Sequence, residues 1–174
     1  MSRPPRIPGF SYVGRQRYFL TICTFKRQKS FACAQTVLDT LLQFRKTAAT
    51  DTEAFEISAY CFMPDHVHLL IQGLRADSDC KRFISRAKQF SGFHYKRQYK
   101  RTLWQRYGYE RIMRDDEATI DVARYILANP LRAGLVKNVR EYRFTGSSVV
   151  TIGELIEDLR TMQVRLKPDP TIGD

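Results

Sequence analysis

The chain has 174 residues, 43% of them hydrophobic and 27% charged, with 29 lysines and arginines against 18 acids and a net charge of +11. That length supports one domain with its own core, and the composition excludes a chain disordered throughout. No apolar run approaches a membrane span, and the basic N-terminus lacks the apolar stretch of a secretory signal, so a cytoplasmic protein with a polyanionic partner, and no membrane partner, is expected.

Residues 1–16 combine Pro4, Pro5, Pro8, Gly9 and Gly14 with Arg3, Arg6 and Arg15, the composition of an extended basic arm. "RYFLTICTF", from Arg17 to Phe25, alternates aromatic and β-branched residues and predicts a first strand. Val37, Leu38, Leu41, Leu42 and Phe44 recur at helical spacing and predict an amphipathic helix over 35–48. "FEISAYCFM" (Phe55 to Met63) reads as a second strand. Pro64 and Asp65 make a tight break before the third, "HVHLLIQG", so the two pair as a hairpin.

A second helix is expected over 79–99, weakened in its later half by Gly92. "YERIMR" (Tyr109 to Arg114) predicts a short fourth strand. "DDEATIDVARYILANP" opens on three acids, which suit a helix N-terminus, and closes at Pro130; its buried stripe is expected to be Ile120, Ala123, Ile126 and Leu127. "ELIEDLR" suits a further small helix, and the last residues a frayed tail. The order β-α-β-β-α-β-α predicts an α+β, ferredoxin-like (split βαβ) domain, a four-stranded, mainly antiparallel sheet with packed helices. The expected organisation is an arm over 1–16, the domain over 17–146 and an extension over 147–174. The four cysteines are far apart and form no CxxC pair, so they read as reduced, small hydrophobes.

His66 and His68 flank Val67 in the third strand. Side chains alternate along a strand, so Val67, Leu69 and Ile71 seat it in the core while both imidazoles point the other way. Neutral imidazole nitrogens on one face can converge on one divalent cation. Two are too few for a closed structural zinc site, so such a site would be open to substrate oxygens. The alternative is a space-filling histidine bonded to a backbone carbonyl.

Between Lys81 and Arg114 stand eleven basic residues and one acid, Glu110, which accounts for nearly all of the chain's positive excess. Lys81, Arg82, Arg86, Lys88, Lys96, Arg97, Lys100 and Arg101, interleaved with Tyr95 and Tyr99, form a candidate DNA-tracking surface, with the tyrosines as platforms for unpaired bases. Arg3, Arg6, Arg15 and Arg17 add candidate phosphate contacts. Trp104, beside Leu103, reads as core.

His66-Val67-His68 within "MPDHVHLL" resembles the histidine–hydrophobe–histidine signature of HUH nucleases and transposases that cut single-stranded DNA with a tyrosine. "GRQRYFLTICTFKRQKSF" and "LWQRYGYERIMRDDE...VARYILANPLRAGLV" resemble the REP-associated tyrosine transposases, relatives of the smallest insertion-sequence transposases, so the similarity spans roughly residues 9 to 145. The resemblance implies Tyr125 as nucleophile, His66 and His68 as metal ligands, and Asn129, one helical turn past the tyrosine, as the third. It also implies a divalent ion, Mg²⁺ or Mn²⁺, single-stranded or hairpin DNA as partner, a 5′-phosphotyrosine intermediate and a free 3′-OH. Asp121, Tyr125 and Asn129 lie four apart on one helical stripe, which suits the chemistry if that stripe faces the histidines. The alternatives are a noncatalytic module that binds hairpin DNA or RNA, and a nuclease using metal-activated water. The sequence leaves monomer and homodimer equally open.

Overall fold

The segments whose side chains alternate between apolar and polar form the centre of a single sheet. The computed structural model describes residues 11–106, 109–112 and 119–161; Arg3 and Arg6 of the expected arm, Tyr107, Arg114, the acids Asp115, Asp116 and Glu117, and the expected tail lie outside them. Strands β1 (Arg17–Cys23), β2 (Phe55–Met63), β3 (His66–Gly73), β4 (Tyr109–Ile112) and β5 (Thr145–Ser147) lie in the order β4-β1-β3-β2-β5, every neighbouring pair antiparallel. The first four are the expected strands in split βαβ order. The three-residue β5 extends the sheet along β2 and is too short to carry an alternation that a sequence reading could detect.

Pro64 and Asp65 close a two-residue hairpin in which Met63 pairs with His66. β1 stops at Cys23 rather than Phe25 because Thr24 turns toward that hairpin, donating from both its backbone N–H and its hydroxyl to the Asp65 carbonyl, at 2.9 and 2.8 Å.

Helices α1 (Ala34–Ala48), α2 (Cys80–Tyr99), α3 (Thr119–Arg132) and α4 (Ile152–Thr161) complete the fold. The Asp79 side chain caps α2 by accepting from the Arg82 N–H at 3.1 Å, which meets one of the unsatisfied amides of a helix start. Gly92 does not interrupt this helix.

The two faces of the sheet carry two separate cores. Tyr18, Leu20, Ile22, Val67, Leu69 and Ile71 face Val37, Leu41 and Phe44 of α1 and Phe83 of α2. Trp104 joins this core, and its indole N–H donates to the Ser91 hydroxyl at 2.9 Å, which makes burial of that polar group affordable. Leu38 and Leu42, read as part of the α1 apolar stripe, lie on its exposed side. On the opposite face, Ala59, Cys61, Met63 and Leu70 pack against Val122, Ala123, Ile126 and Leu127 of α3, with Leu155 of α4. Ile120, expected in that stripe, is 45% exposed and Val122 is buried in its place.

Described residues on the outer sides of the expected boundaries at 16 and 146 pack against the sheet and helices. Tyr12 is buried, Val13 bridges to Asp79, and the Gly14 N–H donates to the Ser78 carbonyl at 2.8 Å, so the end of the supposed arm is part of the domain. A side chain at Gly73 would collide with the Gly14 carbonyl, which is why that crossing takes a residue without Cβ. At the other end Val150, Leu155 and Ile156 belong to the α3 core.

Helix α3 continues past Pro130, where the sequence suggested it would stop. Proline has no N–H for the carbonyl four residues back. That acceptor is Ile126, and the Asn129 side-chain amide donates to it at 3.4 Å and to the Tyr125 carbonyl at 3.2 Å. The helix ends instead at Arg132, and Gly134 just beyond it closes the turn, with a φ of +67° that suits glycine and an N–H that donates to the Leu131 carbonyl.

Candidate active site

Antiparallel register places Thr21 opposite His68 and Cys23 opposite His66 on one side of β3, with Cys61 and Met63 opposite the same histidines on the other. Because parity decides the face, the histidines share theirs with Phe19, Thr21, Leu70 and Cys61. This is the face covered by α3.

Both histidines are buried, and each has its Nδ1 engaged. His66 Nδ1 lies 2.6 Å from Asp65 Oδ1, and His68 Nδ1 lies 2.9 Å from the Thr21 hydroxyl. The two Nε2 atoms point at each other across 3.0 Å. Arg27 bonds the other oxygen of Asp65 at 3.0 Å, so a continuous polar chain runs Arg27–Asp65–His66–His68–Thr21. Burial raises the Asp65 pKa, but the hydrogen bond and charge of His66, together with Arg27, outweigh it and hold the carboxyl below its ordinary value.

Such a pair suits a cation. Two nitrogens each about 2.1 Å from one ion and at right angles to each other stand about 3.0 Å apart, which is the separation found here. A carboxylate or hydroxyl on the remote ring nitrogen is the usual way a protein fixes a ligating imidazole. Cys61 adds no thiolate, because burial pushes its thiol up to about 12. Among the described residues no third His, Cys, Asp or Glu joins the pair, so further ligands would have to be amide, hydroxyl or substrate oxygens.

Tyr125 reaches this face from α3. Its ring meets Phe19 edge-on with centroids 5.9 Å apart, and Phe19 in turn stacks on His68 at 5.6 Å. The guanidinium of Arg132, two turns further along α3, lies 4.4 Å from the centre of the Tyr125 ring. Asp121 is exposed, Tyr125 is half-buried and Asn129 is buried, so the expected polar stripe descends from solvent into the second core. Since the Asn129 amide nitrogen is used within the helix, its Oδ1 is the atom left for a ligand.

The basic surface is sorted differently. Arg82 and Arg86 grip Glu53, which is fully buried, at 3.1 and 2.9 Å. Lys81 sits 4.1 Å from the centre of the Tyr12 ring, and Lys88 donates to the Gln105 carbonyl at 2.7 Å. The Tyr95 hydroxyl donates to Ser30, and that of Tyr99 lies 3.7 Å from the Cys33 sulfur; neither ring stands out alone as a platform, since the two pack together at 4.7 Å. Arg17 is engaged with the Thr119 hydroxyl. Arg15, Lys96, Arg97, Lys100 and Arg101 are exposed. Sequence reasoning missed Thr21, Phe19, Asp65, Arg27 and Arg132. Thr21 and Phe19 were legible as same-parity positions of β1, and Arg132 as the residue seven after Tyr125, but nothing in the sequence said which strand lies beside the histidines.

The molecule is thus an α+β domain whose split βαβ sheet presents two convergent imidazoles with a helical tyrosine on the same face. The chain belongs to the IS200-like transposase family, whose model matches residues 12–129. It is 32% identical over 141 residues to a Haemophilus influenzae protein provisionally named a REP-associated tyrosine transposase, covering 74% of this chain and 77% of that one. A solved REP-associated tyrosine transposase bound to a REP hairpin has the same fold, with a TM-score of 0.68 at 22% identity over 83% of this chain and 82% of the other.

Proposed function

We propose that the protein cuts and rejoins single-stranded DNA next to hairpin-forming repeats, with Tyr125 as the nucleophile and His66 and His68 as ligands of a divalent cation. The observation that carries this reading is the 3.0 Å convergence of two buried Nε2 atoms on the sheet face that Tyr125 shares. Asn129 Oδ1 is the candidate third ligand from the protein. Bound there, Mg²⁺ or Mn²⁺ would polarise a phosphate oxygen and offset charge in the transition state.

The chain's own residues account for the rest. The Tyr125 oxygen attacks phosphorus in line, forming the phenolic O–P bond as the bond to the 3′ oxygen breaks; the phenol gives up its proton and the departing oxygen gains one as a free 3′-OH. The resulting 5′-phosphotyrosine conserves the energy of the phosphodiester, so a 3′-OH can reverse the step without ATP. Phe19 and Arg132 hold the ring from its edge and its face, which limits the phenol to few orientations. One copy of the chain brings Tyr125 and His68 to the same Phe19 ring, which favours a monomer acting alone. The basic end of α2, with Arg15, supplies phosphate contacts.

The test is incubation with a labelled single strand containing a hairpin, in Mn²⁺ or in EDTA, followed by a denaturing gel. A metal-dependent protein–DNA adduct is expected; cleavage with no adduct would replace this mechanism with one using water. A second measurement addresses the polar chain behind His66. Asp65→Ala is expected to weaken Mn²⁺ binding by about 10- to 100-fold, the usual effect of losing a partner that orients a ligand. Free Mn²⁺ can be followed by electron paramagnetic resonance, with binding of a hairpin probe unchanged.

A further inference from the structure

The turn after β1 is built at unusual conformational expense. Lys26 and Arg27 are consecutive non-glycine residues with φ of 51° and 55°, a left-handed backbone that L side chains adopt reluctantly. Such strain persists only where surrounding contacts over-determine it, and it concentrates at functional sites. Here the contacts are plain. Arg27 spans Asp65, at 3.0 Å, and the Cys23 sulfur, at 2.9 Å. The Phe25 N–H donates to the Leu103 carbonyl at 2.8 Å, and the Gln28 side-chain amide donates to the Thr102 carbonyl at 2.6 Å.

These bonds join the turn to two places at once. Through Arg27 and Asp65 it touches the support of His66. Through Thr102 and Leu103 it is tied to the segment that leaves α2, where Lys100 and Arg101 are exposed. What the turn displays outward is a phenylalanine ring, 40% exposed, with the Lys26 ammonium 5.5 Å from its centre and Lys29 exposed close by in the chain. A single aromatic ring among lysines is too small an apolar area for a protein interface, whereas one stacked base flanked by phosphates matches it in size and charge.

Resting on the reading of the His66–Tyr125 site given above, we propose that this turn is the landing point for the unpaired strand as it enters that site. Phe25 stacks one base, and Lys26 and Lys29 take adjoining phosphates. The strained backbone aims the ring outward while Arg27 stays folded in against Asp65. The surface then runs from the exposed end of α2, across the turn, to the histidine end of the sheet.

Fluorescence anisotropy can test this with three DNA probes: one blunt hairpin, and the same hairpin with an unpaired oligothymidine flank on its 5′ or its 3′ side. Stacking tolerates any base, so oligothymidine is an adequate flank. The wild type is expected to bind at least one flanked probe more tightly than the blunt one. Phe25→Ala should remove about tenfold of that affinity, leave the blunt hairpin unaffected, and leave the thermal melt unchanged. Phe25→Trp should retain the preference. Changing Lys26 and Lys29 together to Gln should flatten the salt dependence for the flanked probe alone.

Equal affinity of the wild type for all three probes would overturn the proposal, as would a Phe25→Ala variant that binds the flanked probe as the wild type does or weakens on the blunt one equally. The result is separable from the chemistry. A wild type that binds as expected but forms no adduct leaves the landing point standing and removes the tyrosine mechanism; an adduct-forming wild type insensitive to Phe25→Ala does the reverse.

Discussion

Tyr125→Phe is expected to abolish both strand cleavage and the covalent protein–DNA adduct, while binding of a hairpin probe stays within about twofold of wild type. The substitution removes one oxygen from a half-buried ring and leaves the contacts of that ring with Phe19 and Arg132 in place. Little stability should be lost, and a thermal melt serves as the control. Losing the attacking atom of a covalent mechanism leaves no nucleophile to replace it, so the loss should reach the detection limit rather than a graded reduction. Tyr125 links through Phe19 to His68 on the sheet face bearing the histidines. A mutant that still becomes joined to DNA would transfer the role to another tyrosine; one that cleaves fully without an adduct would point to water.

Glu53→Ala should cost about 3 kcal/mol of stability, at the lower end of what breaking a buried ion pair costs. Glu53 is fully buried, while Arg82 and Arg86 are 42% and 45% exposed, so solvent can reclaim part of the two guanidiniums once their anion is gone. For a domain of this size that corresponds to a fall in Tm of roughly 10 °C. A circular-dichroism melt reads it, and a fall under about 2 °C would show that the pair contributes little. The consequence for function is direct. Arg82 and Arg86 also clasp the Thr52 carbonyl and hydroxyl, so they brace the turn before β2 against the first turns of α2. Replacing either arginine should therefore lower stability, which would confound any reading of DNA affinity from those variants. Lys96, Arg97, Lys100 and Arg101 are the cleaner positions at which to measure phosphate contacts.

Most of the fold was legible because its signals are local. β2 and β3 alternate strongly, Pro64 and Asp65 mark the hairpin, and α1 and α2 begin within a residue of where periodicity places them. The errors share one cause. Pro130 reads as a stop on any local rule, yet α3 runs two residues past it, with the Asn129 amide reaching back to the carbonyl that proline leaves without a donor. Residues 12–14 read as an arm by composition, yet bonds to Ser78 and Asp79, more than sixty positions away, hold them in the domain. Ile120 and Val122 exchange roles because the apolar stripe of a helix can be rotated by its neighbours, here β2 and α4.

The same division runs through the site. The alternation of β3 alone determined that His66 and His68 share a face, since side-chain direction along a strand depends only on parity. It could not determine what stands opposite that face. Placement of α3 over it, the engagement of both Nδ1 atoms by Asp65 and Thr21, and the pairing of the exposed Arg82 and Arg86 with buried Glu53 all depend on residues far apart in the chain. Periodicity is a property of neighbouring residues and can be read in one dimension. Partnership between distant polar groups is settled only when the packed chain leaves each buried donor and charge a single place to go.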